Sequence, residues 1–485
     1  MLVSLYTVRV VLNTLGVEDY GIYNVVGGIT VLFSFLNGAM TSATQRFLNY
    51  ALGQNNIEQV RDVYSISLVL YSFIALFVIV FAETLGLWFL RTQLNIPSDR
   101  RLAAFWVYQF SIVAMVINIM RVPYYATIIA YEKMTFFAQI SILEGILKLI
   151  IAFLLLVSPI DILIFYALLG CSAGFLLLFV YKYYCNKNFT IAHFRACKDK
   201  KLFFQLIGFS NWSILGGIAN VSSAQGTNML INMFSSVTVN AALGIAVQVN
   251  SAVYQFVGNF QTAFNPQIIK SYAMKDYDYF ITLLLQTSKY SFYLLFLFVL
   301  PLFINIDFIL SVWLNNVPEY AVVFTQLILV FSLIDAISGP LWMSVQATGN
   351  IKKYQLIVSC FIFANLPLSF LFLRLGYSPV WVLIIKVALN ILTLLWRTFF
   401  LQSHINFPVL RFFIDLIVPV IVISLISSFV LVILHSRYKG FIGLIVSCLA
   451  SLICTGSLIY FLGLKPEERR SLKHWLRSNK IKIND

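Results

Sequence analysis

The sequence predicts an all-α polytopic membrane protein of about 14 transmembrane helices, arranged as two six-helix lobes around a central cavity plus two C-terminal helices. Three observations predict this class. Apolar stretches fill the 485-residue chain almost end to end, and 60% hydrophobic against 11% charged residues, with a mean hydropathy of +0.88, exclude a soluble globular chain. Polar side chains recur at helical spacing inside those stretches. Short motifs return at nearly constant offsets, as an internal duplication would leave them. Backbone in hydrocarbon must satisfy its own hydrogen bonds, so a stretch of roughly 20 residues is read as a helix.

In order, the expected spans are 1–15, 21–45, 63–90, 102–130, 136–157, 162–184, 203–234, 240–268, 280–306, 320–348, 354–373, 379–401, 412–435 and 440–463. The first reaches about 22 Å at ~1.5 Å per residue, short of ~30 Å of hydrocarbon. The true start is therefore expected upstream of Met1, or the sequence is truncated there. No cleavable signal peptide is visible. Fourteen spans put both termini on one side. With that side cytoplasmic, most of the 33 Lys and Arg lie inside, and only Arg91, Arg100, Arg101, Arg374, Arg437 and Lys439 fall opposite. The net charge of +14 is then an orientation signal, and nucleic acid is not an expected partner.

The organisation that follows is an N-terminal lobe over 1–185, a basic cytoplasmic linker over 186–202 and a second lobe over 203–402. Spans 13 and 14 occupy 403–464, and a basic cytoplasmic tail runs over 465–485. Linker and tail are expected to lie along anionic membrane lipids. Duplication is read from spans 2 and 8, where Asn37 and Asn259, Gln45 and Gln267, and Tyr50 and Tyr272 are each 222 apart. Pro123 and Ala130 in span 4 match Pro340 and Ala347 in span 10 at an offset of 217. Parallel repeats of this kind are a transporter arrangement, with substrate held between the halves.

No nucleophile elbow, P-loop, HExxH or dinucleotide fingerprint is present, so no enzymatic activity is expected. Six cysteines and four histidines show no metal-ligand spacing, and no metal or cofactor is implied. The informative residues are polar ones at bilayer depth. Amides line single faces of span 2 (Asn37 and Gln45, with Asn24 at the edge), span 7 (Asn211, Gln225, Asn228) and span 8 (Gln248, Gln255, Asn259). They are read as lining a hydrated cavity; the alternative is interhelical hydrogen bonding, worth ~0.6 kcal/mol each in membranes.

Five bases fall inside spans: Arg9, Arg121, Lys148, Lys289 and Lys386. Burying a charge there costs at least ~2.5–3.5 kcal/mol, and Arg in particular matches phosphate bidentately, so this excess suits an anionic, phosphorylated substrate. Two acids accompany them as candidate coupling groups. Glu144 is placed to pair with Lys148 one turn away, and Asp335 with Lys289 or Lys386. Pro123 and Pro340 interrupt their helices at matched places and are read as hinges.

These residues also carry a resemblance. The segment from Ser4 to Asn24, SLYTVRVVLNTLGVEDYGIYN, resembles the opening of bacterial Wzx-type polysaccharide flippases. The segments Arg121 to Met134 and Asn265 to Tyr272, and the pattern Pro340 to Gly349, are similar to further segments of that family. The family belongs to the multidrug/oligosaccharidyl-lipid/polysaccharide (MOP) exporter superfamily. The resemblance implies two lobes around a central cavity lined by spans 1, 2, 7 and 8. It implies an inner-membrane flippase for undecaprenyl-diphosphate-linked oligosaccharide in O-antigen or capsule-like synthesis, by alternating access. The lipid-linked oligosaccharide is the implied partner, together with the polymerase and glycosyltransferases of the same pathway. The rival readings are a multidrug exporter of the same superfamily and a lipid II flippase.

Overall fold

The computed structural model describes residues 34–470 apart from 93–96, 196–198 and 315, and earlier only positions 7, 10, 11, 14–16, 19, 22, 23 and 26. Fourteen helices follow one another among the described residues from Ser34 onward. They are α1 Ser34–Gly53, α2 Ile57–Thr92, α3 Arg101–Ala130, α4 Met134–Val157, α5 Ile162–Asn188, α6 Lys200–Phe234 and α7 Val237–Ala273. The series continues with α8 Tyr277–Ile304, the short α9 Ile306–Trp313, α10 Ala321–Thr348, α11 Lys352–Arg374, α12 Val380–Ile405, α13 Val409–Arg437 and α14 Gly440–Gly463. Twelve of them, all but α1 and α9, are long and apolar enough to cross a membrane. They coincide with the third to fourteenth expected spans. The second expected span ends at residue 45, whereas α1 runs on to Gly53 because its polar end is buried rather than solvated.

Cα packing divides the chain into two compact units. The first holds Met1–Val221, Ile269–Asp276 and Gln346–Leu356; the second holds Ser222–Ile268, Tyr277–Val345 and Ile357–Asp485. In the first, α3 and α5 pack along one another, and α1 and α2 pack on α3. Its core is built from residues such as Val107, Tyr108, Ala152, Leu155 and Leu163, with a second cluster of Met40, Tyr71, Val78 and Ile119. In the second unit, Leu243, Ile306, Phe324 and Val382 form one cluster, and Val253, Val257, Leu295 and Leu329 another.

The repeat is visible in where helices begin and end. Starts at Ile57 and Tyr277 and at Arg101 and Ala321 are 220 apart; starts at Met134 and Lys352 and at Ile162 and Val380 are 218 apart. Left-handed residues close matching helices, Asn55 with Lys275 and Glu132 with Gly349. Pro123 and Pro340 each precede their cap by nine residues and are equivalent. Tyr50 and Tyr272 are not, since one lies five residues before its cap and the other three. The short motif matches slip by two residues along the helix, and cap geometry fixes the register instead.

At two of the prolines inside helices, Pro340 and Pro301, a neighbouring helix answers the carbonyl they release. Pro340 cannot donate to the Ala336 carbonyl, and the Gln261 side-chain amide of α7 does so at 2.9 Å. Pro301 in α8 leaves the Leu297 carbonyl open, and the Ser451 hydroxyl of α14 donates to it at 3.1 Å. Ser451 opens a π-helical turn over Ser451–Thr455. A charge is handled similarly in the first unit. Arg100 pairs with Asp19 at 3.0 Å and Asp161 at 2.6 Å, which compensates one base of the loop that runs against the orientation rule.

Replacing Ser451 by Ala should therefore cost about 1 kcal/mol of stability in micellar unfolding, whereas Ser447→Ala should be nearly neutral. Ser447 is equally buried, but its hydroxyl has no hydrogen-bond partner to lose. Equal losses in the two variants would refute the role assigned to Ser451.

Candidate functional site

The α7 helix shows most directly how its sequence is used. At 100° per residue, Ala242, Leu243, Ala246, Val253 and Val257 form one buried face, which packs into the two core clusters of the second unit. The opposite face carries Gln248, Ser251, Gln255 and Asn259, with only Ala241 and Gly244 between them, and all of these are exposed. The Gln248, Gln255 and Asn259 side chains make no hydrogen bond to protein among the described residues. Interhelical bonding, the alternative reading of this stripe, is therefore not what holds them. A lipid-facing stripe would carry large apolar side chains, and unpaired amides in hydrocarbon would cost several kcal/mol each.

The other two amide stripes differ. On α6, Asn211 and Gln225 are exposed and Asn228 is half-buried, but Ile218 and Met229 share their face. On α1, Gln45 is buried and the Asn37 side-chain oxygen is buried without a partner among the described residues. Arg9 and Asn24 lie outside the described residues.

Each unit also holds a charged cluster of its own. In the first, Glu144 and Lys148 form the expected one-turn ion pair at 3.3 Å. They project roughly opposite the exposed stripe of Ile142, Ile146, Ile150 and Phe153, on the side where Ile140, Ala152 and Leu155 are buried. Their partial exposure thus opens toward the bundle rather than toward lipid. Arg121 of α3 lies over the Tyr181 ring of α5 at 5.6 Å, and Tyr181 is within electrostatic reach of both Arg121 and Glu144.

In the second unit the Tyr254 hydroxyl donates to Asp335 at 2.7 Å, and Asp335 acts electrostatically on Lys386, whose ammonium sits over the Phe331 ring at 4.9 Å. Arg397 donates to the Ser338 carbonyl at 2.6 Å, one residue from Gly339. Gln261, besides answering Ala336, donates to Ser291 at 3.2 Å and lies against Gly339, where a Cβ would come within 2.4 Å of its side-chain oxygen. The Pro340 segment is thus held by side chains from two other helices. Lys289 does not join this group or pair with Asp335. It is bonded by both oxygens of Glu468, at 2.7 and 3.0 Å, with the two side chains 4% and 8% exposed.

A last cluster gathers four helix ends within the first unit. Arg46, stacked on Phe47 and Tyr50, donates to the Gln346 and Ala347 carbonyls at 3.3 and 3.4 Å, where α10 ends. Both carbonyls lie at the negative end of a helix dipole, where a guanidinium suits them, and that of Gln346 also accepts from the Gly349 N–H at 3.0 Å. Gly349 follows at φ +78°, and a Cβ there would meet the Arg46 guanidinium at 2.4 Å. Lys270, near the end of α7, pairs with Glu132, the left-handed cap of α3. Gly53 lets α1 and α7 meet, since a Cβ there would lie 2.8 Å from both the Lys270 carbonyl and the Ala273 Cβ.

Sequence reasoning missed Arg46, Tyr254, Gln261, Lys270, Arg397 and Glu468. A signal did exist for two of them. Tyr254 and Gln261 fall off the amide stripe of α7, on the side of its buried face, and a polar group there must find a protein partner. The four charged residues gave no such signal, because all lie near helix ends, where bases and acids are expected at the membrane surface.

No protein-family model and no curated protein sequence matches this chain. Solved structures do. A structure described as the outward-facing conformation of a multidrug resistance MATE family transporter of the MOP superfamily superposes with a TM-score of 0.70 at 13% identity, covering 84% of this chain and 92% of that one. A MATE crystal structure in complex with MaD3S gives 0.65 at 15%, covering 82% and 95%. A MOP superfamily transporter from Pyrococcus furiosus, described as having a binding pocket of reverse polarity, gives 0.62 at 14%, also covering 82% and 95%. At such identities the likeness establishes the MATE-like fold.

In a background freed of native cysteines, Gln248→Cys, Gln255→Cys and Asn259→Cys should react with a membrane-impermeant maleimide at least about tenfold faster than Val253→Cys or Val257→Cys. Equal, slow labelling at all five would show that the amide face is not wet.

Glu468 sets a pH dependence. Burial disfavours its charged form, but bonds from Lys289, the Lys465 N–H and Tyr290 outweigh burial and hold its carboxyl below the ordinary 4.5. A depressed carboxylate contributes stability that is complete above the unfolded value and lost as pH falls through the folded one. Hydrogen exchange of residues 464–470 should accordingly stay slow from pH 7 to pH 5 and rise below about 4.5. A Lys289→Met variant should remove that transition.

Proposed function

We propose that this chain is a membrane flippase for a lipid-linked oligosaccharide carried on a polyprenyl diphosphate, working in the bacterial inner membrane for cell-surface polysaccharide synthesis. The observation that carries the reading is the α7 face, where Gln248, Gln255 and Asn259 are exposed and unbonded in a helix apolar enough to span a bilayer. Side-chain amides both donate and accept, as sugar hydroxyls do, and can replace the hydration a glycan loses. Bases within the spans supply the complementary half. Lys386, in the same unit as that face, is a charge able to meet a diphosphate. The polyprenyl chain needs no such help and can remain in lipid.

Transport then requires the helix ends to separate and rejoin. The Arg46 and Lys270 contacts are polar and solvent-replaceable, suited to breaking and re-forming, and the Pro340 segment offers the bend. Orientation with both termini in the cytoplasm belongs to the same proposal. A second reading, export of a cationic drug, has its own support in Asp335, a carboxylate within a span and hydrogen-bonded by Tyr254. The bases of the same interior, Lys386 and Arg397, oppose a cationic cargo and favour an anionic one.

In a strain lacking the gene, completed lipid-linked units should accumulate on the cytoplasmic leaflet, as read with a membrane-impermeant glycan probe and mass spectrometry. Wild type should clear them. A stably inserted Gln255→Ala/Asn259→Ala variant should do so at least about tenfold more slowly, since a sugar hydroxyl left without its amide partner costs ~1–3 kcal/mol. Unchanged lipid intermediates together with altered drug susceptibility would transfer the assignment to export.

A further inference from the structure

A cavity of about 320 Å³ in the second unit, separate from the amide face of α7, takes its walls from α8, the start of α13 and the segment that follows α14. Arg411 and Lys465 each lie within two residues of a helix end at Val409 or Gly463, the level at which lipid headgroups meet a membrane protein. The floor is closed. Lys289 is fully engaged by Glu468, and Glu468 also accepts from the Lys465 backbone N–H at 2.7 Å, so the segment after α14 is pinned as a fixed wall.

Above that floor, one carboxylate oxygen serves two cations. Asp415 Oδ2 accepts from Lys465 at 2.6 Å and from Arg411 Nε at 3.3 Å. Arg411, Lys465 and Asp415 all line the cavity, and the terminal Arg411 amines and Asp415 Oδ1 make no hydrogen bond among the described residues. Thr282 and Gln286 line the same space, and neither side chain is bonded to protein among the described residues. Three bases (Lys289, Arg411, Lys465) balance three acids (Asp415, Glu467, Glu468, of which Glu467 has an interaction of its own). A bare anion or a bare cation would upset that balance, whereas a ligand carrying one charge of each sign preserves it.

We propose that this cavity binds a zwitterionic phosphate-bearing headgroup, with phosphate on Arg411 and Lys465 and an ammonium on the Asp415 side. The volume equals about ten waters at ~30 Å³ each, room for the roughly eight heavy atoms of phosphoethanolamine with a few waters.

The test uses the full chain in nanodiscs of phosphatidylcholine doped with phosphatidylethanolamine or phosphatidylglycerol, read by native mass spectrometry of retained lipid and by thermal stability. Wild type should retain phosphatidylethanolamine about tenfold over phosphatidylglycerol. Arg411→Gln/Lys465→Gln should lose that retention while keeping the elution profile of wild type. Asp415→Asn, which removes the acidic partner but keeps both bases, should reverse the preference toward phosphatidylglycerol. Soluble glycerophosphoethanolamine competing with the lipid would place recognition in the headgroup alone, and failure to compete would make the acyl chains part of it. Preference for phosphatidylglycerol in wild type, or equal retention by wild type and the double variant, would overturn the proposal.

Discussion

A polar group in hydrocarbon has no solvent to fall back on, so it must be bonded by protein, neutralised, or turned toward water. Most features of this chain follow from that constraint. Pro340 and Pro301 each strip a carbonyl of its helical donor, and in both places a side chain from another helix replaces it, Gln261 in one and Ser451 in the other. Lys289 is neutralised by Glu468, and Lys148 by Glu144. Arg46 is engaged by the carbonyls where α10 ends.

Some groups do not meet that constraint, such as the Ser447 hydroxyl and the Asn37 side-chain oxygen, which are buried with no partner among the described residues. Gln248, Gln255 and Asn259 are amides with no protein partner among the described residues, displayed on one face of α7 while the opposite face is closed by Val253, Val257 and their neighbours. A helix that buries one side in a core and leaves amides bare on the other is stable only if the bare side is wet. At Gly53, Gly339 and Gly349, as at Gly216, Gly443 and Gly463, a polar side chain or a backbone carbonyl already occupies the space a Cβ would need.

The duplication organises these contacts. Matching helix starts at offsets of 220 and 218, and matching left-handed caps, show the two halves built in the same order. Yet they are not copies in function. The α3 cap carries a carboxylate held by Lys270, and its α10 counterpart is a glycine covered by Arg46. Divergence between repeats is what allows each half to contribute different chemistry.

Hydropathy by itself determined the all-helical class, twelve spans whose ends lie within six residues of the helices found, and the polar face of α7. Each depends on local sequence, because the bilayer dictates helix and a period of 3.6 dictates the face. The Glu144–Lys148 pair was legible for the same reason, being a one-turn contact within a helix. Tertiary structure alone decided the partners of Lys289, Asp335, Arg46 and Lys270, which lie 179, 81, 300 and 138 residues from the groups they meet. It also decided that the amides of α7 are exposed while Gln45 of α1 is buried, since a stripe records only that a face is polar. What lies opposite that face is set by the packing of helices far apart in the chain, and no local pattern encodes it.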